Sequence, residues 1–160
     1  MKLISPLLLA LLGWCVLLPG CSTPPVVSGI TVSVDGFKRY DAAPGPARGI
    51  MTLRFTSENT SAIAFSGSTH RLYLNDTLVG SAKNETPVGL PPMETVTHDV
   101  IIELVNPAAI RQALADESAG RPTRYRVESV LRFNDGENIS QIKKTFAGTV
   151  ALLGLETAVR

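Results

Sequence analysis

Two histidines and two cysteines are among the side chains of this sequence that could serve as a base, a nucleophile or a metal ligand. His70 and His98 lie far apart, and neither has the nearby partners that a catalytic triad or a general-base pair requires. His98 and Asp99 are neighbours, and neighbours on a strand point to opposite faces, so they do not form a dyad. The histidines and the scattered acidic residues also lack the spacing of zinc or calcium ligands. The sequence therefore predicts no enzyme, no catalytic residue and no metal site.

Cys21 follows an apolar segment with the character of an export signal. Lys2 supplies a positive charge, and residues 7–18 form an apolar run behind it. The longest apolar stretch, residues 3–18, is sixteen residues, or roughly 24 Å of helix at about 1.5 Å per residue. A membrane-spanning helix must cross a hydrocarbon core about 30 Å thick. We therefore expect residues 1–20 to be a signal peptide that is removed.

Leu18, Pro19, Gly20 and Cys21 resemble the lipobox of bacterial lipoproteins, which is a leucine, a variable residue, a small residue and a cysteine. The resemblance implies cleavage before Cys21, a covalent diacylglycerol on its sulfur and an N-acyl chain, with no other cofactor. Two or three acyl chains hold a protein durably at a membrane, whereas one chain holds it only marginally. Ser22 resembles the outer-membrane sorting signal of Gram-negative lipoproteins, which implies the periplasmic face of that membrane. The alternative is an unmodified cysteine at the end of a signal.

The charge and cysteine content of the mature chain limit its partners. The full sequence has 15 Lys+Arg and 14 Asp+Glu, and Lys2 is the one charged residue within residues 1–20, so the mature side chains sum to zero. A protein without net positive charge lacks the electrostatic footprint of a nucleic-acid binder. Cys15 leaves with the signal and Cys21 is used by lipid, so no disulfide is expected. The sequence predicts one domain stabilised by a packed core.

Apolar residues recur with a period of two along most of the mature chain, which is typical of half-buried strands. Asn75-Asp76 has the composition of a tight hairpin turn, and residues 81–94 read as a polar, proline-rich loop. The residues predicted to face inward are Ile30, Val32, Val34, Met51, Leu53, Phe55, Val96, Val100, Ile102, Leu104, Tyr125, Val127, Leu131, Phe133, Ile142, Phe146, Val150 and Leu152.

One segment has the residues that typically begin and end a helix. Asn106 is the expected N-cap, Pro107 the first helical residue, and Gly120 follows the end. With about seven short strands, this predicts an all-β fold with one short helix: an antiparallel β-sandwich of the immunoglobulin or fibronectin type III kind. A closed barrel with the helix as a plug is the alternative. The expected divisions are residues 1–20 (signal), 21–28 (lipidated tether), 29–154 (domain) and 155–160 (tail).

The order of these elements resembles the LEA type 2 family, which is also called the water stress and hypersensitive response (WHy) domain. The similar segments, in order, are "LRFTSENTSAIAF", "YLNDTLVG", "GLPPMETVTHDVIIEL", "NPAAIRQAL", "YRVESVLRF" and "KKTFAGTVAL". The family has Asn-Pro-Asn after its second strand, where this sequence has Glu58-Asn59-Thr60 without proline. The resemblance implies a fibronectin type III-like sandwich, a role in desiccation or other stress tolerance, and no enzymatic activity.

Two functional hypotheses follow from these features. The first is a lipid-anchored envelope protein that protects stressed proteins or the membrane by weak contacts. The alternative is an adaptor lipoprotein of an envelope assembly or transport system, with a partner protein held by loops 41–49 and 81–94. An enzyme would require a deep polar pocket that encloses His98 together with carboxylates.

Overall fold

The computed structural model describes residues 28–40, 45–134, 139–156 and 158. These ranges contain nine strands and one helix. In chain order the elements are β1 (Ile30–Lys38), β2 (Arg48–Ser57), β3 (Ile63–Phe65), β4 (Gly67–Leu74), β5 (Thr77–Asn84), β6 (Val88–Leu90), β7 (Thr95–Leu104), α1 (Pro107–Ser118), β8 (Arg124–Asn134) and β9 (Ile139–Thr149).

Seven strands form one antiparallel sheet in the order β1-β2-β7-β5-β4-β8-β9. The β5–β7 pairing covers only Gly80 to Ala82 against Ile102 to Leu104. At this short junction the sheet folds over, because rings on strands that are not paired meet in the core: Phe55 of β2 lies 6.3 Å from His70 of β4. The result is a sandwich of a β1-β2-β7 layer and a β5-β4-β8-β9 layer.

The predicted all-β antiparallel sandwich with one short helix is therefore confirmed. The sheet curls until its two edge strands, β1 and β9, contact each other, so the sandwich is nearly a closed barrel. Among the described residues no backbone pairing joins β1 to β9. A seam therefore remains between the two edges, and the fully closed barrel considered as an alternative is not formed.

Half of residues 81–94, the segment predicted as a polar, proline-rich loop, is strand, and for that half the prediction was wrong. β5 continues to Asn84, and β6 follows after only three residues. β6 pairs with β3 to form a separate two-stranded sheet, with Phe65 opposite Val88. Strand pairing overrides local composition here, because a partner strand supplies the backbone hydrogen bonds that a polar sequence does not specify.

The core agrees with the predicted inward faces except in β9, at the residue that follows it, and at one position of β7. Fourteen of the predicted residues are buried, but Val96, Ile142 and Val150 are half-buried and Phe146 is 37% exposed. β9 is an edge strand with a neighbour on one side only, so its inward face is incompletely covered. After β9, Leu152 and Leu155 are both fully buried.

The helix and the hairpin turn form where the sequence predicts them. The Asn106 side chain accepts a hydrogen bond from the Ala109 N–H at 3.1 Å, which caps α1, and Gly120 ends it with φ +76°. Asn75 and Asp76 have φ of 46° and 65°, the left-handed values that a tight β-hairpin turn requires. α1 buries Ile110 and Ala113 against the sandwich.

Candidate functional site

A histidine–serine cluster lies in the middle of the core. His70 Nε2 is 2.8 Å from the Ser68 hydroxyl oxygen, and Nδ1 is 2.8 Å from that of Ser129. Ser68 and His70 are two residues apart on β4 and so share its inward face, and Ser129 lies directly opposite His70 on β8. Both ring nitrogens are therefore within hydrogen-bonding distance of hydroxyls inside a mostly apolar core.

The cluster is sealed from solvent. His70 is fully buried, and Ser68 and Ser129 are each 1% exposed. Burial, helped by the nearby charge of His98, lowers the pKa of His70 from 6.5 to about 4, so the ring is neutral at neutral pH. A hydroxyl beside an imidazole is the arrangement of a nucleophile and its base, but a substrate cannot reach this one. The cluster therefore has a structural role: its buried polar groups hydrogen-bond to one another.

The other histidine is placed as its strand parity predicts. His98, on β7, lies opposite Leu53 of β2 and is half-buried, whereas the adjacent Asp99 carboxylate lies on the outer face. Asp99 accepts hydrogen bonds from the Lys38 ammonium and the Thr52 hydroxyl, both at 2.6 Å, and these bonds lower the pKa of the carboxyl. His98 and Asp99 thus lie on opposite faces of β7, and the hydrogen bonds of the Asp99 carboxylate go to Lys38 and Thr52.

Two depressions and the potential metal ligands of the described ranges were the remaining places where a site could form. Two shallow, open depressions lie beside the C-terminal end of α1, and Glu117 lines both. The Glu117 carboxylate accepts the Leu152 N–H at 3.1 Å. Neither depression includes a histidine, and within residues 28–40, 45–134, 139–156 and 158 no three His, Cys, Asp or Glu side chains are grouped as a metal would need.

β9 is an edge strand of the sandwich, beside its seam with β1. β9 pairs with β8 only, and most of its side chains are exposed. Two large apolar residues are among them: Ile139, 72% exposed, and Phe146. The Phe146 ring lies 6.3 Å from that of Tyr125. An edge strand presents unpaired N–H and C=O groups to which an extended chain can add, so this seam is the candidate interaction site.

The residues predicted to carry the lipid anchor, Leu18, Pro19, Gly20, Cys21 and Ser22, lie outside the described residues. No helix in the described part of the chain is long and apolar enough to cross a membrane.

Sequence reasoning missed both features that the structure emphasises. The alternation "STH" places Ser68 and His70 on one strand face, and this signal is visible in the sequence. Ser129 cannot be paired with them from sequence, because β4 and β8 meet only in the folded sheet. Phe146 of β9 was predicted to be covered, but it remains 37% exposed, since local periodicity does not show which strand lies at an edge.

Comparisons with known proteins give structural likenesses without a family assignment. No family model matches the chain, and no curated protein matches it. A crystal structure of a protein from Archaeoglobus fulgidus is similar, with 16% identity over 78% of this chain and 98% of that one, at a TM-score of 0.41.

Two solution structures are also similar. For AT1g01470 from Arabidopsis thaliana the identity is 11% over 76% of this chain and 84% of that one, with a TM-score of 0.49. For a candidate late embryogenesis abundant (LEA) protein the identity is 9% over 80% and 75%, with a TM-score of 0.39. The chain is thus similar in structure to LEA-like proteins, at scores that carry no argument about its function.

Proposed function

We propose that this protein is a non-enzymatic, lipid-anchored domain of the bacterial envelope that protects other molecules by weak contacts under desiccation or similar stress. The observation that carries the proposal is the edge strand β9, most of whose side chains are exposed. The domain is of the LEA type 2 kind, which is supported by the quoted segments: "YLNDTLVG" forms the β4–β5 hairpin, and "NPAAIRQAL" begins α1.

The chemistry of β9 suits weak contacts with extended chains. Its free edge offers backbone hydrogen bonds, while Ile139 and Phe146 offer apolar surface to an unfolding protein. Lys143 and Lys144 stand in the same strand, and lysines on edge strands discourage edge-to-edge pairing between copies. The combination favours transient contact over stable assembly.

A heat-aggregation assay tests the protective part. The full chain is added at an equimolar ratio to a thermolabile enzyme, and we expect light scattering to fall. Ile139→Asp should weaken the effect, because it places a carboxylate on the apolar part of the edge. Leu153→Asp is the matched control, since Leu153 is 76% exposed and lies after β9. Equal effects of the two variants would contradict a role for the edge.

The anchor proposed at Cys21 rests on the lipobox-like residues and has its own test. Mass spectrometry of the mature amino terminus should show Cys21 as the first residue with a diacylglycerol and an N-acyl chain, in outer-membrane fractions. A mature protein that begins elsewhere and carries no fatty acid would refute the anchor. The aggregation result would stand independently of that outcome.

An adaptor is the second candidate, and the exposed Met93 favours it. Met93 is 66% exposed and has φ +55°, and its N–H is held by the Asn59 carbonyl oxygen at 3.0 Å. A non-glycine residue with positive φ is uncommon, and such positions cluster at binding sites. Affinity capture from solubilised membranes distinguishes the candidates, because an adaptor retains one stoichiometric partner that Met93→Ser weakens, whereas a protective protein retains many at low occupancy.

A further inference from the structure

One face of this chain is strongly basic, although the formal net charge of the whole sequence is only +1. It is the outward surface of the β5-β4-β8-β9 layer, called the basic face below. Its basic side chains alternate along the strands with buried residues and therefore point to solvent. The basic face carries Arg71, Lys83, Arg124, Arg126, Arg132 and Lys143.

Strand register gathers these charges from distant parts of the sequence. Lys83 of β5 pairs with Thr69, which is two residues from Arg71 on β4. On the other side of β4 lies β8 with its three arginines, and Lys143 of β9 lies opposite Val130 of β8. Four adjacent strands thus contribute to one continuous surface.

Acidic side chains neutralise only part of the basic face. The Glu85 carboxylate pairs with Lys83 at 2.6 Å and with Arg132 at 2.7 Å, and these cations lower the pKa of its carboxyl. Glu128 pairs with Arg126. Among the described residues, the charged groups of Arg71, Arg124 and Lys143 have no ion-pair partner, so the face keeps a positive excess.

The outward face of the β1-β2-β7 layer provides a contrast within the same molecule. Its three basic residues are each paired with an acid: Lys38 with Asp99 at 2.6 Å, Arg48 with Glu103 at 3.1 Å, and Arg54 with Asp35. This face, called the neutral face, has equal numbers of the two signs. The positive excess is therefore a property of one layer.

We infer that the basic face binds the surface of an anionic phospholipid bilayer. Its charges are spread over a broad sheet surface, and neither of the two described depressions is lined by them, so the face fits a plane of phosphates better than a single inserted group. Basic residues near an anionic membrane are attracted individually, and the attraction decays within a Debye length.

One group of side chains on the basic face supports direct contact between this face and phospholipid headgroups. The Arg126 guanidinium lies 3.8 Å from the centre of the Tyr73 ring and pairs with Glu128, so it is held against the outer surface of the sheet. Arg71 and Arg124 flank this group without partners of their own, so bound phosphates would neutralise charges that the protein leaves unpaired. The inference depends on neither the β9 edge nor the Cys21 anchor.

Lysine footprinting of the unmodified full chain tests the inference. The protein is mixed with vesicles of phosphatidylcholine alone or with roughly one third phosphatidylglycerol, and treated with a membrane-impermeant acetylating reagent. We expect Lys83 and Lys143 to react about threefold more slowly, or slower still, on the anionic vesicles. Lys38, on the neutral face, should react equally on both. Salt of about 1 M, which shortens the Debye length to about 3 Å, should abolish the difference.

Each other outcome overturns the inference. Equal reactivity of Lys83 and Lys143 on both vesicle types would show that the basic face does not bind lipid. Protection by polyglutamate but not by anionic vesicles would assign the face to an acidic protein instead.

A double variant, Arg71→Gln with Arg124→Gln, should reduce the protection of Lys143. The matched pair, Arg48→Gln with Arg54→Gln, should not, and a loss that is the same in both pairs would count against the inference.

Discussion

The Tyr125 hydroxyl accepts a hydrogen bond from the backbone N–H of Val34 at 3.1 Å, although the two residues lie 91 positions apart. Tyr125 belongs to β8. Val34 belongs to β1, an edge strand of the other layer, and lies where the register between β1 and β2 shifts. A side chain from one layer thus satisfies a buried donor on the free edge of the other. The seam of the sandwich is held here by a side chain in place of strand pairing.

Removing this hydroxyl should destabilise the fold. In Tyr125→Phe the ring remains, but the buried Val34 N–H loses its partner, which should lower the free energy of unfolding by about 1–3 kcal/mol. Urea denaturation followed by circular dichroism measures the change. Tyr73→Phe is the control, because that hydroxyl donates at 3.2 Å to Glu128 on an outer face, and we expect a change within about 0.5 kcal/mol. Similar losses in both variants would contradict the proposed seam contact.

The buried His70 should make the protein less stable in acid. Its pKa is about 4 in the folded state and 6.5 as the ordinary value, so the unfolded chain takes up a proton first as the pH falls. The contribution of neutral His70 is fully present above pH 6.5 and is lost as the pH falls from 6.5 towards about 4. The total loss is about 3 kcal/mol.

Urea denaturation at several values between about pH 7.5 and pH 4.5 checks this dependence. His70→Gln should flatten the curve of unfolding free energy against pH, because the titrating group is gone. His98→Gln should retain most of the slope, since desolvation, the main cause of the lowered pKa, remains at His70. A slope unchanged in His70→Gln would show that other groups control acid stability.

The junction between the two layers should tolerate no side chain at Gly80. A β-carbon there would lie 2.8 Å from the Glu103 carbonyl oxygen and from Ile102 atoms, where β5 meets β7. Gly80→Ala should therefore cost about 1–3 kcal/mol through overpacking. At Gly89 of β6 a β-carbon meets nothing within 4 Å, so Gly89→Ala serves as the control in thermal unfolding. A Gly80→Ala protein as stable as the control would mean that the junction is looser than described.

The N-cap hydrogen bond of α1 should contribute measurably to the free energy of unfolding. Asn106→Ala removes the acceptor for the Ala109 N–H, which should cost about 1 kcal/mol. Asn106→Ser retains an acceptor oxygen and should recover most of that loss. Both effects can be read from denaturant midpoints, and an Ala variant as stable as the Ser variant would argue that the cap hydrogen bond contributes little.

Sequence reasoning succeeds where a residue's environment is decided by its immediate neighbours. Asn75-Asp76 and the cap and stop of α1 are correctly predicted because turn and helix-end conformations depend on a few adjacent residues. The alternation in β8 correctly predicts Tyr125 and Val127 as buried, because this strand has neighbours on both sides.

The same reasoning fails where the partner strand decides. Phe146 follows the correct period but lies on an edge strand, so its inward face is partly open. Residues 81–94 look like a loop by composition, yet β3 supplies a partner for β6. The lipid anchor at Cys21 stays a prediction.

By itself, the sequence determined the local conformations: the alternating strands, the capped helix and the two-residue hairpin, since each depends on contacts between residues a few positions apart. Only the tertiary structure decided which strands are neighbours, and hence that Ser129 meets His70 and that Tyr125 reaches Val34. It also decided that positive charges collect on one layer of a chain whose formal net charge is only +1. Such pairings are set by the packing of distant segments into one core, and no local pattern encodes them.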